Sequence, residues 1–366
     1  MGRAATSAAT GSCPRARRAP AEAGAACTVG LRFRGHGGVP PLPGRVPEAP
    51  PRGAFLTRVV VLRGAAEESE HRVAWCLVRA DGSAEGPDPE LPVFARSAVK
   101  PLQALGSVRA GVLERFGLGD LHLALACASH GGSAVHVDGV AEVLDACGLV
   151  EGALGCGPDL PLDARELDGV RPSRIRHNCS GKHAFGLARC LVEDWPLDGY
   201  FRAGHPLQRA MRDCVVEACN VAAPTQEATD GCGMRTFAVP LAALARSFGA
   251  LAGGGLGPAG DRCAGAMRAH PELVAYDGAI DTELMRAQPG LVAKIGAEGV
   301  LAIGLADGRG LALKVRDGSV RAVAPAGVAL ARSALGLDVA VPESLAVAPI
   351  INSRGVRGGE LRAMGD

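Results

Sequence analysis

Strand-like runs mark the two flanks of the chain's body, and helical periodicity marks its middle. Residues 57–63 (Thr-Arg-Val-Val-Val-Leu-Arg) and 72–79 (Arg-Val-Ala-Trp-Cys-Leu-Val-Arg) are apolar, β-branched runs, the second followed by an Asp81-Gly82 turn. Near the other end, 299–306, 310–316 and 319–323 are short β-type runs. Asp307-Gly308-Arg309-Gly310 and Asp317-Gly318 separate them, words that favour hairpins and therefore antiparallel pairing. Between the flanks, helical spacing runs over roughly 98–110, 133–147, 181–194, 205–219, 239–249 and 262–270. The segment 121–127 (Leu-His-Leu-Ala-Leu-Ala-Cys) fits helix and strand alike. The pattern predicts an α/β (α+β) fold, with a mainly antiparallel sheet formed by both chain ends, helices covering its faces and a helical lobe inserted between the end segments.

No such pattern occupies residues 1–53, which are rich in Ala, Arg, Pro and Gly and are expected to form a disordered extension. Arg17-Arg18 is followed by no apolar run of the kind an export signal carries. The remaining residues, 54–366, are expected to be one domain. The overall charge of +1 conceals an asymmetry: eight Arg against two acids give the extension +6, leaving −5 on the rest. An acidic body argues against a nucleic-acid partner. No run of about 18 apolar residues occurs, so no membrane span is expected. With two Trp, two Tyr and eight Phe in 366 residues, the core must be built from Ala, Val and Leu. Most of the twelve cysteines, Cys76, Cys127, Cys147, Cys190 and Cys214 among them, lie in apolar segments and read as buried thiols of a reducing cytoplasm.

Candidate chemistry is carried by the lysines. Of 39 basic residues only Lys100, Lys182, Lys294 and Lys314 are lysine, and the first three sit in short polar words. A buried lysine can lose its proton and arginine effectively cannot, so these three are candidates for a base or a ligand. Ser97-Ala98-Val99-Lys100 follows an extended segment and opens a helical pattern, placing both side chains on one face of a first turn. A serine there lies by the positive end of the helix dipole, and Lys100 can activate it once neutral. A capping serine with a solvated lysine gives the same four letters. The order Ser97-x-x-Lys100, Ser129-His130-Gly131, Lys294-Ile295-Gly296 parallels the S-x-x-K, S-D-N, K-T-G order of serine β-lactamases, without the Asn and without the hydroxyl residue of the last word. Lys314, in a hairpin, reads as solvated, and His136, His205 and His270 read as surface or core residues.

A second constellation, His177-Asn178-Cys179-Ser180-Gly181-Lys182-His183 with Asp230-Gly231-Cys232-Gly233, places cysteines in polar, Gly-flanked loops. Thiolates bind zinc well, and His177, His183 or a neutral Lys182 offers nitrogen. Two unrelated loop cysteines would read the same.

These words together resemble the L-asparaginase II family, represented by the thermolabile rhizobial enzyme. The resemblance runs over about 55–363 through Phe94–Leu105, Cys127–Gly132, His177–Ala184, Asp230–Gly233, Ala238–Leu241, Lys294–Gly299 and Asn352–Gly355. It implies a three-layer α-β-α sandwich like serine β-lactamases and glutaminases, and hydrolysis of L-asparagine to L-aspartate and ammonia. It further implies two Ser-Lys pairs, Ser97 with Lys100 and Ser129 with Lys294. Arg96 and His130 would contact substrate, Asp230 would contact the substrate ammonium or the metal-bound water, Cys179, Lys182 and Cys232 would hold zinc, and the protein would be a homodimer. Ser97 is favoured as nucleophile for its helix-start setting. The rivals are a serine amidohydrolase acting on another small amide such as glutamine, and a non-catalytic member stabilised by zinc.

Overall fold

The computed structural model describes residues 56–365, all within the compact unit Arg45–Asp366; the expected 1–53 extension lies outside the described residues. Eleven strands are present among them: β1 (Leu56–Arg63), β2 (Ala66–Val78), β3 (Ala84–Glu85), β4 (Pro92–Phe94), β5 (Gln226–Thr229), β6 (Arg235–Pro240), β7 (Val292–Gly296), β8 (Val300–Gly304), β9 (Gly310–Val315), β10 (Val347–Ile351) and β11 (Arg357–Gly365). The main sheet is antiparallel in the order β10-β11-β1-β2-β9-β8-β7, with β3 added to β2. Its centre therefore joins the first strand of the body to the last, as expected from strands at both ends. The long β2 makes the bridge. Its first half pairs with β1 and is largely exposed, whereas from Val73 to Val78 it pairs with β9 and is buried.

Every residue of β8 is buried, so both faces of the sheet are covered there. Alternation along a strand shows what covers each face. A Cβ on Gly304 would stand 1.9 Å from the Phe248 carbonyl oxygen, so helix Leu241–Ala252 lies almost on the strand backbone on that side. Leu301, an odd number of residues away, points to the opposite face and meets Gly327 of helix Val323–Ser333. Helix, sheet, helix gives the three layers of an α/β sandwich. The few aromatics leave Ala, Val and Leu to fill the interior, and close helix–sheet approach replaces side-chain bulk.

The interior segments form helices Lys100–Arg109, Asp120–Ala126, Ala134–Ala146, Ser180–Val192, Pro206–Cys219 and Gly257–Ala269, which settles 121–127 as helix. The expected strand at 319–323 is instead a 3-10 turn (Val320–Ala322) opening helix Val323–Ser333. Val323, Ala326, Gly327 and Leu330 recur at helical spacing and face the sheet, and Pro325 falls in the first turn, where proline is tolerated. Tertiary burial overrides the β-propensity of the valines. The sequence reading passed over β10 and β11; β10 is a partly exposed edge carrying Pro349, a position where the missing N–H costs little. The ten cysteines among the described residues are free, nine of them buried.

Gly304→Ala is expected to destabilise the protein by about 3 kcal/mol or more, because backbone must move to admit the methyl group. Gly64→Ala, at φ +62° in open space, should cost only about 1 kcal/mol. Urea unfolding of the two variants measures the contrast.

Candidate active site

Three separate parts of the fold deliver the Ser and Lys side chains to one place. Ser97 comes from the 3-10 turn Arg96–Val99 that follows β4 and runs into helix Lys100–Arg109, with Pro101 in its first turn. Ser129 follows helix Asp120–Ala126, where Ser129 N–H donates to the Val274 carbonyl (2.9 Å) and Gly131 N–H to that of Ala275 (2.9 Å). Lys294 lies on β7, whose Gly296 touches the Ser97 turn: a Cβ there would stand 2.5 Å from the Ala95 carbonyl oxygen. Arg96 adopts φ 51°, a left-handed conformation costly for a residue with a Cβ. Its guanidinium grips Asp230, Nε at 2.8 Å and Nη2 at 2.7 Å from Oδ1, tying the Ser97 turn to the loop between β5 and β6.

Ser97 and Ser129 line a common cleft of about 370 Å³, together with Asn178, Tyr276, Asp281 and Ala297. Lys100 is 1% exposed at its base. Its Nζ lies 2.5 Å from the Ala128 carbonyl oxygen, 3.4 Å from that of Asn178 and 3.0 Å from Ser129 Oγ. An ammonium can donate to all three; in the neutral form the two carbonyls would take the two hydrogens and the lone pair would face the Ser129 hydroxyl. Burial pushes the Lys100 amine below its ordinary value, the Cys179 sulfur opposes this, and the charges of Lys182 and Lys294 add to the lowering. Ser97 makes no side-chain hydrogen bond among the described residues and is half-buried at the cleft. Neither its N–H nor that of Ala297 has a partner in the described network, leaving two backbone donors at the cleft wall.

The pairing differs from the expected one. Lys100 bonds Ser129, and Lys294 does not. Lys294 Nζ is instead 3.0 Å from Asp281 Oδ2, and both side chains are wholly buried. Asp281, at the start of helix Ile280–Ala287, also receives the Ile295 N–H (3.2 Å). Asp281 lies in no sequence motif, and only the packing of that helix against β7 reveals it. A buried lysine with a carboxylate in reach forms the ion pair rather than a bond to a neutral hydroxyl.

The other expected site residues fall into two groups. His130 is wholly buried beneath the cleft, its ring stacked on His136 at 5.2 Å. Ser180 Oγ donates to the Ile175 carbonyl (2.8 Å), so His130 Nε2 donates to Ser180 (2.8 Å), leaving Nδ1 bare and unpartnered. Asp230, expected at the substrate, is engaged by Arg96 and the Gly231 N–H. His136 is buried between Ser133 and the Glu272 carbonyl, His205 caps helix Pro206–Cys219, and His270 lies beside Glu272. Lys314 is half-buried and donates to the Glu298 and Val315 carbonyls.

Cys179, Lys182 and Cys232 do converge. Lys182 Nζ lies 3.3 Å from Cys232 Sγ, and the Cys179 thiol donates to Asn178 Oδ1 (3.2 Å). The neighbouring Cys179 sulfur, against burial and with Lys182 beside it, holds the Cys232 thiol far below its ordinary value, while the Cys232 sulfur and burial raise Cys179. Burial alone would depress Lys182, but the sulfurs outweigh it and keep the ammonium. His177 Nδ1 accepts the Cys179 N–H (3.0 Å), and His183 bonds Tyr200 with Nε2 buried and unpartnered. No three His, Cys, Asp or Glu side chains among the described residues are grouped to hold a metal. The cluster's two sulfurs and one amine are nevertheless donors that zinc accepts once the shared protons leave.

The family model described as L-asparaginase II matches residues 59–363. No curated protein sequence matches the chain. A β-lactamase from Sphaerobacter thermophilus is 14% identical at a TM-score of 0.37, over 73% of this chain and 93% of its own. A β-lactamase from Desulfarculus baarsii is 16% identical at a TM-score of 0.31, over 68% and 85%.

Burial holds His130 and His136 neutral, with folded-state values below the ordinary 6.5. Their contribution to stability is present above the unfolded value and lost as pH falls below it, because the unfolded chain then binds more protons. Urea midpoints should therefore drop on going from pH 7.5 to 5.5, by less in His136→Asn than in the parent.

Proposed function

The chain belongs to the L-asparaginase II family, an asparaginase-type amidohydrolase family, and from that membership and the cleft's geometry we propose that it hydrolyses L-asparagine to L-aspartate and ammonia through a serine-bound acyl intermediate. The observation that carries the mechanism is the contact of the Lys100 amine with Ser129 Oγ at 3.0 Å inside a cleft that Ser97 also lines.

In this reading Ser97 attacks the side-chain amide carbon. Its accessible hydroxyl, strained preceding residue and helix-start setting suit that role. The Ser97 proton passes to Ser129 as the Ser129 proton passes to Lys100, leaving Lys100 as the ammonium. The N–H groups of Ser97 and Ala297 stabilise the oxygen that gains charge. The proton returns along the same path to the departing nitrogen, so ammonia leaves and the aspartyl ester remains. Water, deprotonated by the restored Lys100 amine through Ser129, then releases aspartate. Lys294 enters as a fixed cation that favours the neutral form of Lys100. Arg96 with Asp230 holds the Ser97 turn, and His130 holds Ser180 at the head of the helix carrying Lys182.

Cys179, Lys182 and Cys232 would hold zinc, which bound there supplies positive charge for orienting the substrate. We also take the protein to be cytoplasmic, from its buried free thiols, and a homodimer, as its family resemblance implies; light scattering during size-exclusion chromatography tests the assembly. Among the described residues no helix is long and apolar enough to cross a membrane.

Ammonia release from L-asparagine tests the proposal. Lys100→Arg keeps a cation that cannot accept a proton and should lower kcat about 10²- to 10⁴-fold, and Ser97→Ala should abolish turnover. Equal turnover on glutamine would favour the broader amidase reading. Because Lys100 must be neutral, activity should fall tenfold per pH unit below its depressed pKa and stay level above it; a flat profile down to the acid limit of stability would contradict a lysine base. Cys179→Ser and Cys232→Ser should each reduce zinc, measured by elemental analysis, from about one per chain to near none.

A further inference from the structure

Asp281 carries an unfinished set of hydrogen bonds at the cleft. Oδ2 accepts from Lys294 Nζ and the Ile295 N–H, whereas Oδ1 is buried and has no partner. An uncovered carboxylate oxygen in an enclosed place is costly, and such an oxygen in a binding cleft calls for a donor from the ligand. The surroundings sharpen the demand: Tyr276, Ile280, Ile295, Val323 and Leu345 line the same cleft, and apolar walls strengthen any charge interaction inside it. Asp230 is spoken for by Arg96 and does not line this cleft. Asp281 is therefore the acidic group of the cleft that has an oxygen to offer.

We infer that Asp281 is the counter-ion for the α-ammonium of the substrate, Oδ1 receiving that group while Oδ2 stays on Lys294. The inference rests on the amino-acid-amide reading and narrows it: the substrate class is amides of amino acids with a free α-amino group. Desamino amides of equal length leave Oδ1 uncovered and bind poorly. Lys294 then has two tasks, holding Asp281 in place and balancing its charge when no substrate is bound.

Calorimetric binding of L-aspartate and of succinate, which differ only in the amino group, to the full-length protein is the test. The parent should prefer L-aspartate about 10- to 100-fold, the worth of a hydrogen bond to a charged group. Asp281→Asn should remove that preference, and Asp230→Asn should keep it. In turnover, Asp281→Asn should raise KM for L-asparagine more than it lowers kcat, with little change in KM for succinamate. Equal binding of the two acids by the parent, or an undiminished preference in Asp281→Asn, overturns the inference. Should Asp281→Asn unfold for want of the Lys294 partner, Asp281→Glu keeps the charge but moves the oxygen by one methylene; an unchanged preference there also overturns it. An Asp281-dependent preference without ammonia release would leave this site standing and sink the hydrolase reading instead.

Discussion

An amine shut away from water against two carbonyl oxygens and one serine hydroxyl sets the terms for this structure. Lys100 is 1% exposed, and its helix is buried from its first residue through Ser107. Burying a lysine disfavours its charged form, and the two carbonyls fix its amine beside Ser129. Those carbonyls belong to Ala128 and Asn178, on segments distant in sequence, so the enclosure of Lys100 exists only where the turns beside helices Asp120–Ala126 and Ser180–Val192 are correctly packed. The cost of enclosing Lys100 is thus offset by the whole fold rather than by any local partner.

The second buried lysine has the opposite character. Lys294 faces a carboxylate at 3.0 Å and stays an ion pair. In the proposed mechanism, two lysines in one interior, one opposed by a carboxylate and one not, would give the cleft a cation and a proton acceptor from a single residue type. Such divergence of like groups by environment is how one site obtains both roles. Arginine could serve the first purpose but not the second, which accounts for lysine at position 100 in a chain that otherwise uses arginine freely.

Much of this was legible in the chain. The strand runs at both ends foretold a sheet that joins them, since β2 pairs with β9, although β11, the partner of β1, was not among those runs. Ser97, Lys100 and Ser129 were visible because each stands in a polar word at an element boundary, as were Cys179, Lys182 and Cys232. The partners were not. Asp281 lies in no motif and acquires its meaning from a contact thirteen residues along the chain, and the Ala128 and Asn178 carbonyls belong to every residue type alike. The 319–323 run was misjudged because local β-propensity cannot register that the sheet needs a helix on that face.

The central claim is that Ser97 carries the acyl group and Ser129 carries the proton. Acid-quenched protein, mixed with L-asparagine for one turnover and examined by intact and peptide mass spectrometry, reads this directly. The account predicts an aspartyl adduct on the Ser97 peptide, absent in Ser97→Ala and slower to form in Ser129→Ala. An adduct on the Ser129 peptide, or full turnover with Ser97 absent, would contradict it.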